Sequence, residues 1–343
     1  MSLTVVSKPS GFRPVGGGEL VYQFTESSIS GKPNYRVEIT LNGLSSVPTF
    51  EYRPDSSLAI RADIAPMLRS ALSLSTSTSS RLSNTYVKYQ AVWDGGSDAQ
   101  VGLSGDVIYF YIGVNHDLNN RTQFEITNAG GSLNKFLIPT SKLYVFAGRK
   151  AYIDFLHSND MGAACRVDYL PTSGGTILLG GFNGAVKRLE SFDSTFSEGG
   201  YVKVWSATAA AYVCSIEVEV VPISCVRPVY IKWLNDLGGI STWLFSYNQV
   251  YELDPQLTWR DKILTVVTDG LTLEQWQMLQ ELNKDGIEYG NNQKSGAYVV
   301  DMTTASDEIN VVALPQSRET MTRMSKHSFE LKLRYEQIPN ILI

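Results

Sequence analysis

The residues able to do chemistry are few and far apart. His116-Asp117-Leu118-Asn119-Asn120 brings polar ligand types together, and Asp-x-Asn is how a calcium-binding loop begins. Such a loop needs Gly at its sixth position, for a sharp turn, and a bidentate Glu at its twelfth. Here the sixth position is Thr122 and no Glu stands at the twelfth, so the segment reads as a polar turn. Asp301, Asp307 and Glu308 offer the paired carboxylates that acid/base hydrolysis of a glycoside requires. They flank a Thr/Ser loop, the ordinary setting of solvated turn residues. No Gly-x-Ser-x-Gly elbow presents a nucleophilic serine. Gly290-Asn-Asn-Gln-Lys-Ser-Gly296 has the letters of a phosphate-cradling loop in the wrong order and reads as a hairpin loop between strands at 287–289 and 297–301. The three histidines, His116, His157 and His327, are scattered. The three cysteines, Cys165, Cys214 and Cys225, are too few for a disulfide scaffold, and Cys214 alternates with apolar residues as a buried, inert thiol does. The sequence therefore predicts no catalytic residue, no cofactor and no metal site, in a protein that is not an enzyme.

The elements that would position any site are strands. The 343 residues carry 29 Lys+Arg and 34 Asp+Glu, a net charge of −5, with 43% hydrophobic and 18% charged residues. That is enough apolar material for real cores, and the mild negative balance argues against specific nucleic-acid binding, which relies on clustered Lys and Arg. No apolar run approaches the roughly 18–20 residues that span a bilayer, and Met1 to Gly18 has no apolar signal core. Asn34 to Leu41 alternates, with Tyr35, Val37, Ile39 and Leu41 on one face. Thr85 to Trp93 alternates as well, with Val87, Tyr89 and Ala91 opposed to Tyr86 and Lys88. Val107 to Val114 is almost wholly apolar, the pattern of a strand buried on both faces. Further strands are expected at 142–147, 150–156, 163–170, 175–180, 200–205 and 210–221, punctuated by paired glycines.

Two helices are expected. One, near 64–73, follows Asp63 as N-cap and sets Ile64, Met67, Leu68, Ala71 and Leu72 on one face. The other, near 272–284, opens with a Thr272/Gln275 capping box and a Leu271/Trp276 hydrophobic staple. Ser73 to Ser83 reads as a low-complexity loop. The predicted fold class is mainly β: two to three β-sandwich-like units with two short amphipathic helices. The expected boundaries are 1–130, 131–226 and 227–343, the last containing the second helix.

The densest aromatic segment, Pro228 to Tyr247, reads as a hairpin turning at Asn235 to Gly239, with Gly238 and Gly239 free to take positive φ. Val229, Ile231 and Trp233 share one face of its first strand; Trp243, Phe245 and Tyr247 share one face of its second. These aromatics are either a core cross-strand cluster or a platform for stacking carbohydrate. At the C-terminus, Ile338-Pro-Asn-Ile341-Leu342-Ile343 ends the chain on large aliphatics that gain by docking, on the same chain or on a neighbour. Trp233, Trp243, Phe245, Tyr247, Ile341, Leu342 and Ile343 are thus the candidate interface or platform residues.

Tyr230-Ile-Lys-Trp233-Leu-Asn235, then Gly238-Gly239, then Trp243-Leu-Phe245, resembles a segment recurrent in virion and tail-region proteins of tailed phages from Bacteroidetes hosts, including crAss-like phages. Tyr52-Arg-Pro54-Asp55 with Ala62-Asp63-Ile64 and Leu68 to Leu72 is similar to the same proteins, as are Leu273 to Leu282 and the closing Phe329 to Tyr335. The likeness covers the two ends of the chain and leaves roughly 131–226 outside it. It implies a non-enzymatic structural subunit of a ring, collar, tail or adsorption apparatus, assembled in the host cytoplasm with further copies of itself and other virion proteins. It supplies no catalytic residue. The competing expectation is an extracellular carbohydrate-binding or adhesin β-sandwich protein using Trp233 and Trp243.

Overall fold

The computed structural model describes residues 3–9, 12–16, 20–26, 35–44, 47–55, 59–72, 81–93, 100–102, 105–113, 134–223, 228–248, 263–283, 288–289, 293–294, 297–300, 308–313, 319–322 and 326–335. The protein is mainly β. It divides into two compact units, Met1–Gly131 with Glu288–Gln293, and Ser132–Ile287 with Lys294–Ile343. No helix among the described residues is long and apolar enough to cross a membrane.

The first unit holds β1 (Leu3–Ser7), β2 (Phe12–Pro14), β3 (Val21–Glu26), β4 (Tyr35–Asn42), β5 (Thr49–Tyr52), β6 (Ala59–Asp63), α1 (Ala65–Arg69), β7 (Leu82–Trp93), β8 (Gln100–Gly102) and β9 (Asp106–Tyr111). One sheet runs β1-β3-β6. The other runs β2-β9-β7-β4-β5, with β8 also on β7. The alternation of β4 is realised in full: Tyr35, Val37, Ile39 and Leu41 are all buried. Register sets Ile39 opposite Tyr89 and Leu41 opposite Val87. Tyr22 and Phe24 of β3 bring their rings to 5.8 and 5.4 Å from Tyr89, joining the two sheets across an aromatic core.

Two expectations are corrected here. The 107–114 segment is buried on both faces only in its second half. Val107 is 52% exposed and Tyr109 partly so, whereas the successive residues Phe110, Tyr111 and Ile112 are all buried, and the strand itself ends at Tyr111. The first helix shrinks to one turn, and its N-cap is Ile64, without a side-chain cap. Asp63 is the last residue of β6; its carboxylate accepts from the Leu20 amide at 2.8 Å and the Ala65 amide at 3.0 Å, stapling strand to helix.

The second unit begins with β10 (Asn134–Phe136), β11 (Lys142–Phe146), β12 (Lys150–His157), β13 (Gly162–Pro171), β14 (Ile177–Gly184), β15 (Arg188–Thr195), β16 (Gly200–Ser206) and β17 (Ala211–Val221). Sheets β10-β12-β15 and β11-β17-β16-β13-β14 enclose Val145, Ile153, Phe155, Val167, Val202, Val204 and Val218. β15 has no counterpart among the expected strands. Its Arg-Leu-Glu-Ser-Phe-Asp-Ser-Thr has one fully buried side chain, Leu189, and is a strand because of its pairing with β12.

The chain continues through β18 (Pro228–Leu234), β19 (Ile240–Asn248), β20 (Ile263–Leu271), α2 (Leu273–Leu279), β21 (Glu288–Tyr289), β22 (Gln293–Lys294), β23 (Ala297–Val300), β24 (Glu308–Ala313), β25 (Glu319–Thr322) and β26 (Lys326–Tyr335). The order β20-β19-β18-β23-β24-β26 closes on itself where β26 pairs with β20, from Ile263 opposite Arg334 to Leu271 opposite His327. Closure removes the open edges that β20 and β26 would otherwise present. The capping box of α2 forms as expected: the Gln275 amide donates to Thr272 Oγ1 and the Thr272 amide to Gln275 Oε1.

The boundary expected at 226 lies inside the second unit. Tyr144 and Phe146 of β11 belong to the same apolar cluster as Val229, Trp243, Phe245, Leu279 and Leu331. Glu274, in the first turn of α2, accepts from Ser141 Oγ and Tyr144 Oη, each at 3.0 Å. Burial and that bond push the Tyr144 phenol up to about 12. A shared core joins what composition and proline placement alone would separate.

Candidate interaction surface

The aromatic hairpin is core. Trp233 and Trp243 are 2% exposed and Phe245 is fully buried, so they cannot serve as a sugar platform. Phe146 meets Trp243 edge-on at 5.2 Å, and the indole nitrogens donate inward, Trp243 to Thr268 Oγ1 and Trp233 to Glu281 Oε2. The register pairs Ile231 with Trp243 and Val229 with Phe245, the shared faces expected from sequence. Tyr247 pairs with Val266 through the backbone; its side chain lies outside the described residues, as do Ile341, Leu342 and Ile343. His116, Asp117, Asn119, Asn120, Asp301, Asp307, Cys225 and the Glu308 side chain also lie outside them.

The tip of this hairpin explains its burial. The Asn235 side chain donates to Leu137 O at 2.9 Å and Ser241 Oγ at 3.0 Å, while its Oδ1 accepts from the Leu237 and Gly239 amides. Asp154, buried in β12, accepts from the Ile240 amide at 2.5 Å. Of the two turn glycines only Gly238 takes positive φ, at 83°. Gly239 is required for a different reason: a Cβ there would stand 2.1 Å from Leu137 O. The tip is a clasp that seats β18 and β19 on the strands before them.

The remaining groups with chemical potential are quenched. Cys165 is buried and donates to Met161 O at 3.1 Å. Cys214 is half-buried, less enclosed than expected, and burial raises its pKa and holds it as a thiol. His157 is buried against Phe155 and Phe182, with Nδ1 2.9 Å from Ser158 O. Among the described residues, no three His, Cys, Asp or Glu side chains gather as a metal site.

A surface the sequence did not single out stands on the second unit's five-stranded sheet. β16 buries Val202 and Val204 and turns Tyr201, Lys203 and Trp205 to the other face. Register aligns Trp205 with Arg166 on β13 and with Tyr212 on β17. Beneath them lies Asp168, its side chain 1% exposed, accepting at 2.8 Å from both Arg166 Nε and Tyr212 Oη. The bond to Asp168 raises the pKa of Tyr212 and that of Arg166. The Arg166 guanidinium lies 4.8 Å from the centre of the Trp205 ring, and Lys203 Nζ lies 5.6 Å from both the Tyr201 and Tyr212 rings. The buried carboxylate thus fixes a guanidinium and a phenol in place, and the guanidinium in turn covers an indole. Tyr, Trp and Arg held rigid on a solvent-facing sheet can bury large flat area against a partner at low entropic cost. The alternation Tyr-Val-Lys-Val-Trp was the available signal for this face.

No family model matches the chain, and no curated protein matches it. Among solved structures it is similar to the Plexin A4 extracellular region, domains 1 to 8, at 8% identity and a TM-score of 0.21. That likeness covers 97% of this chain and 39% of that one, and at this score it carries no argument about fold or function.

Proposed function

We propose that the protein is a non-enzymatic structural subunit of a tailed-phage virion, working by protein–protein assembly. The place in a virion rests on the resemblance at Tyr230 to Phe245 and in the two end segments. The structural observation that supports assembly is the Arg166–Trp205–Tyr212 face, ordered from below by Asp168. Its residue types are those that dominate binding energy at protein interfaces. The carbohydrate reading loses its motivation, because its platform residues Trp233 and Trp243 lie in the core.

The test is electron microscopy and light scattering of the purified protein, alone and mixed with the other particle components. Rings, tubes or incorporation into the particle are expected. Trp205→Ala combined with Tyr212→Ala should weaken incorporation at least about thirtyfold, since one anchor of this type at the centre of an interface is worth about 2 kcal/mol or more. A wild-type protein that stays monomeric at every concentration, and is not incorporated, overturns the reading. Glycan binding abolished by the same double variant would replace it with the extracellular alternative.

A further inference from the structure

We infer that Asn183-Gly184 is a self-modifying site, where the Asn183 side-chain amide is lost to ring closure and a negative charge is written onto the face that carries Arg166 and Trp205. Asn183 is exposed, at the last position but one of β14. The fold compels glycine after it: a Cβ at 184 would stand 2.6 Å from both Cys165 Sγ and Met161 Cβ. Glycine is also what lets the next amide nitrogen approach the Asn183 side chain, since no Cβ crowds the ring that forms. That side chain is already turned back over its own backbone in an Asx turn, with Oδ1 accepting from the Ala185 amide at 3.0 Å. The bond draws electrons from the Cγ carbonyl and stands on the oxygen where negative charge develops. The other Asn-Gly of the chain, Asn42-Gly43, is set differently. Its Asn42 Nδ2 is directed across to β7, 3.5 Å from Tyr86 O.

The step needs no reagent but water and hydroxide. The Gly184 amide gives its proton to hydroxide, and its nitrogen attacks Asn183 Cγ. The Cγ–Nδ2 bond breaks, and ammonia leaves with a proton taken from water. Water then opens the succinimide at either carbonyl, leaving aspartate, or isoaspartate with an extra backbone carbon. Either product carries a carboxylate where the amide stood. Phe182 and Gly184 are buried, so Asn183 points with Gly181 to the outer side of the sheet. Register sets Gly181 opposite Arg166, which places residue 183 on the diagonal from Arg166, a spacing of about 7–8 Å that a long side chain spans. Arg166 is held between Asp168 and the Trp205 ring. A second carboxylate competes for that guanidinium and alters the face on which the assembly reading rests. The ring closure itself does not depend on that reading.

The experiment is peptide mass mapping of the full chain, aged folded at mildly alkaline pH and, in parallel, in denaturant. In the folded chain Asn183 should convert at least about fivefold faster than Asn42, the rate equivalent of one hydrogen bond of about 1 kcal/mol. In denaturant the two dipeptides should converge. Ala185→Pro removes the amide that donates to Oδ1 and should bring Asn183 down to the rate of Asn42, with circular dichroism confirming the fold. Conversion of Asn183 no faster than Asn42 in the folded wild type overturns the inference, whatever the variant does. Asn183→Asp should weaken incorporation into the particle at least about fivefold relative to Asn183→Gln. Equal incorporation of the two overturns the effect on the face. A wild type that is never incorporated removes the assembly reading, and the mass map still decides the site.

Discussion

Replacing Gly239 with alanine isolates the clasp that seats the aromatic hairpin. The φ of Gly239 is not positive, so the backbone accepts alanine and the effect is steric alone. The new Cβ would stand 2.1 Å from Leu137 O and 2.8 Å from Leu137 Cβ, against a normal contact of about 3.5 Å or more. Both neighbours belong to the segment leading out of β10, whose Leu137 amide is tied to Asp154 O at 2.9 Å, so the hairpin tip must withdraw instead. Overpacking of this kind costs about 1–3 kcal/mol. Withdrawal also stretches the bond from Asn235 to Leu137 O, and leaving a buried amide unpaired costs about 1–3 kcal/mol more. The sum is about 2–6 kcal/mol, which in a unit of this size lowers the melting temperature by about 5–20 °C. Differential scanning calorimetry reads it directly. Asn235→Ala, which keeps the contact surface and deletes the bonds, should fall between wild type and Gly239→Ala. A Gly239→Ala protein melting within about 2 °C of wild type would refute the seating of the tip against Leu137.

Two further outcomes follow from the surface and its turns. Asp168→Ala leaves Arg166 and Tyr212 without their buried acceptor and frees the guanidinium from Trp205; the expected result is about 1–3 kcal/mol of destabilisation with a change in tryptophan emission, checked by urea melts followed by fluorescence. Glu198 has its pKa lowered by the Ser173 and Thr172 hydroxyls, so its contribution to stability is present above the ordinary carboxylate pKa and is lost as pH falls through the lower folded value; acid melts of wild type should show more loss below about pH 4 than those of Glu198→Gln, and superimposable curves would dismiss this role.

Much of the local structure was legible in the residues. Tyr35, Val37, Ile39 and Leu41 declared one face at period two, and that face is buried. The capping box at Thr272 and Gln275 is a contact between residues three apart, so sequence contains all of it. The shared faces of β18 and β19 were likewise readable, because their short turn leaves little choice of register. β15 is not legible in the sequence because its strand character comes from β12 and not from its own composition. The boundary at 226 rests on two prolines, while the contacts that cross it, such as Trp243 on Phe146, join residues about a hundred positions apart.

The sequence by itself determined a β-rich chain, the alternation of its strands, the start of its second helix and the pairing within its aromatic hairpin. Only the tertiary structure decided which faces water reaches. Trp233 and Trp243 on one hairpin and Tyr201 and Trp205 on β16 carry the same kind of signal, yet the first pair is core and β16 turns its aromatics to an open sheet face. The physical reason is that periodicity divides a strand into two faces without saying what covers either. Cover comes from elements remote in the chain: β11, β12 and α2 enclose the hairpin, and β26 returns to β20 to close its barrel. The same remoteness hid the need for glycine at 239, where the obstacle is the carbonyl of Leu137.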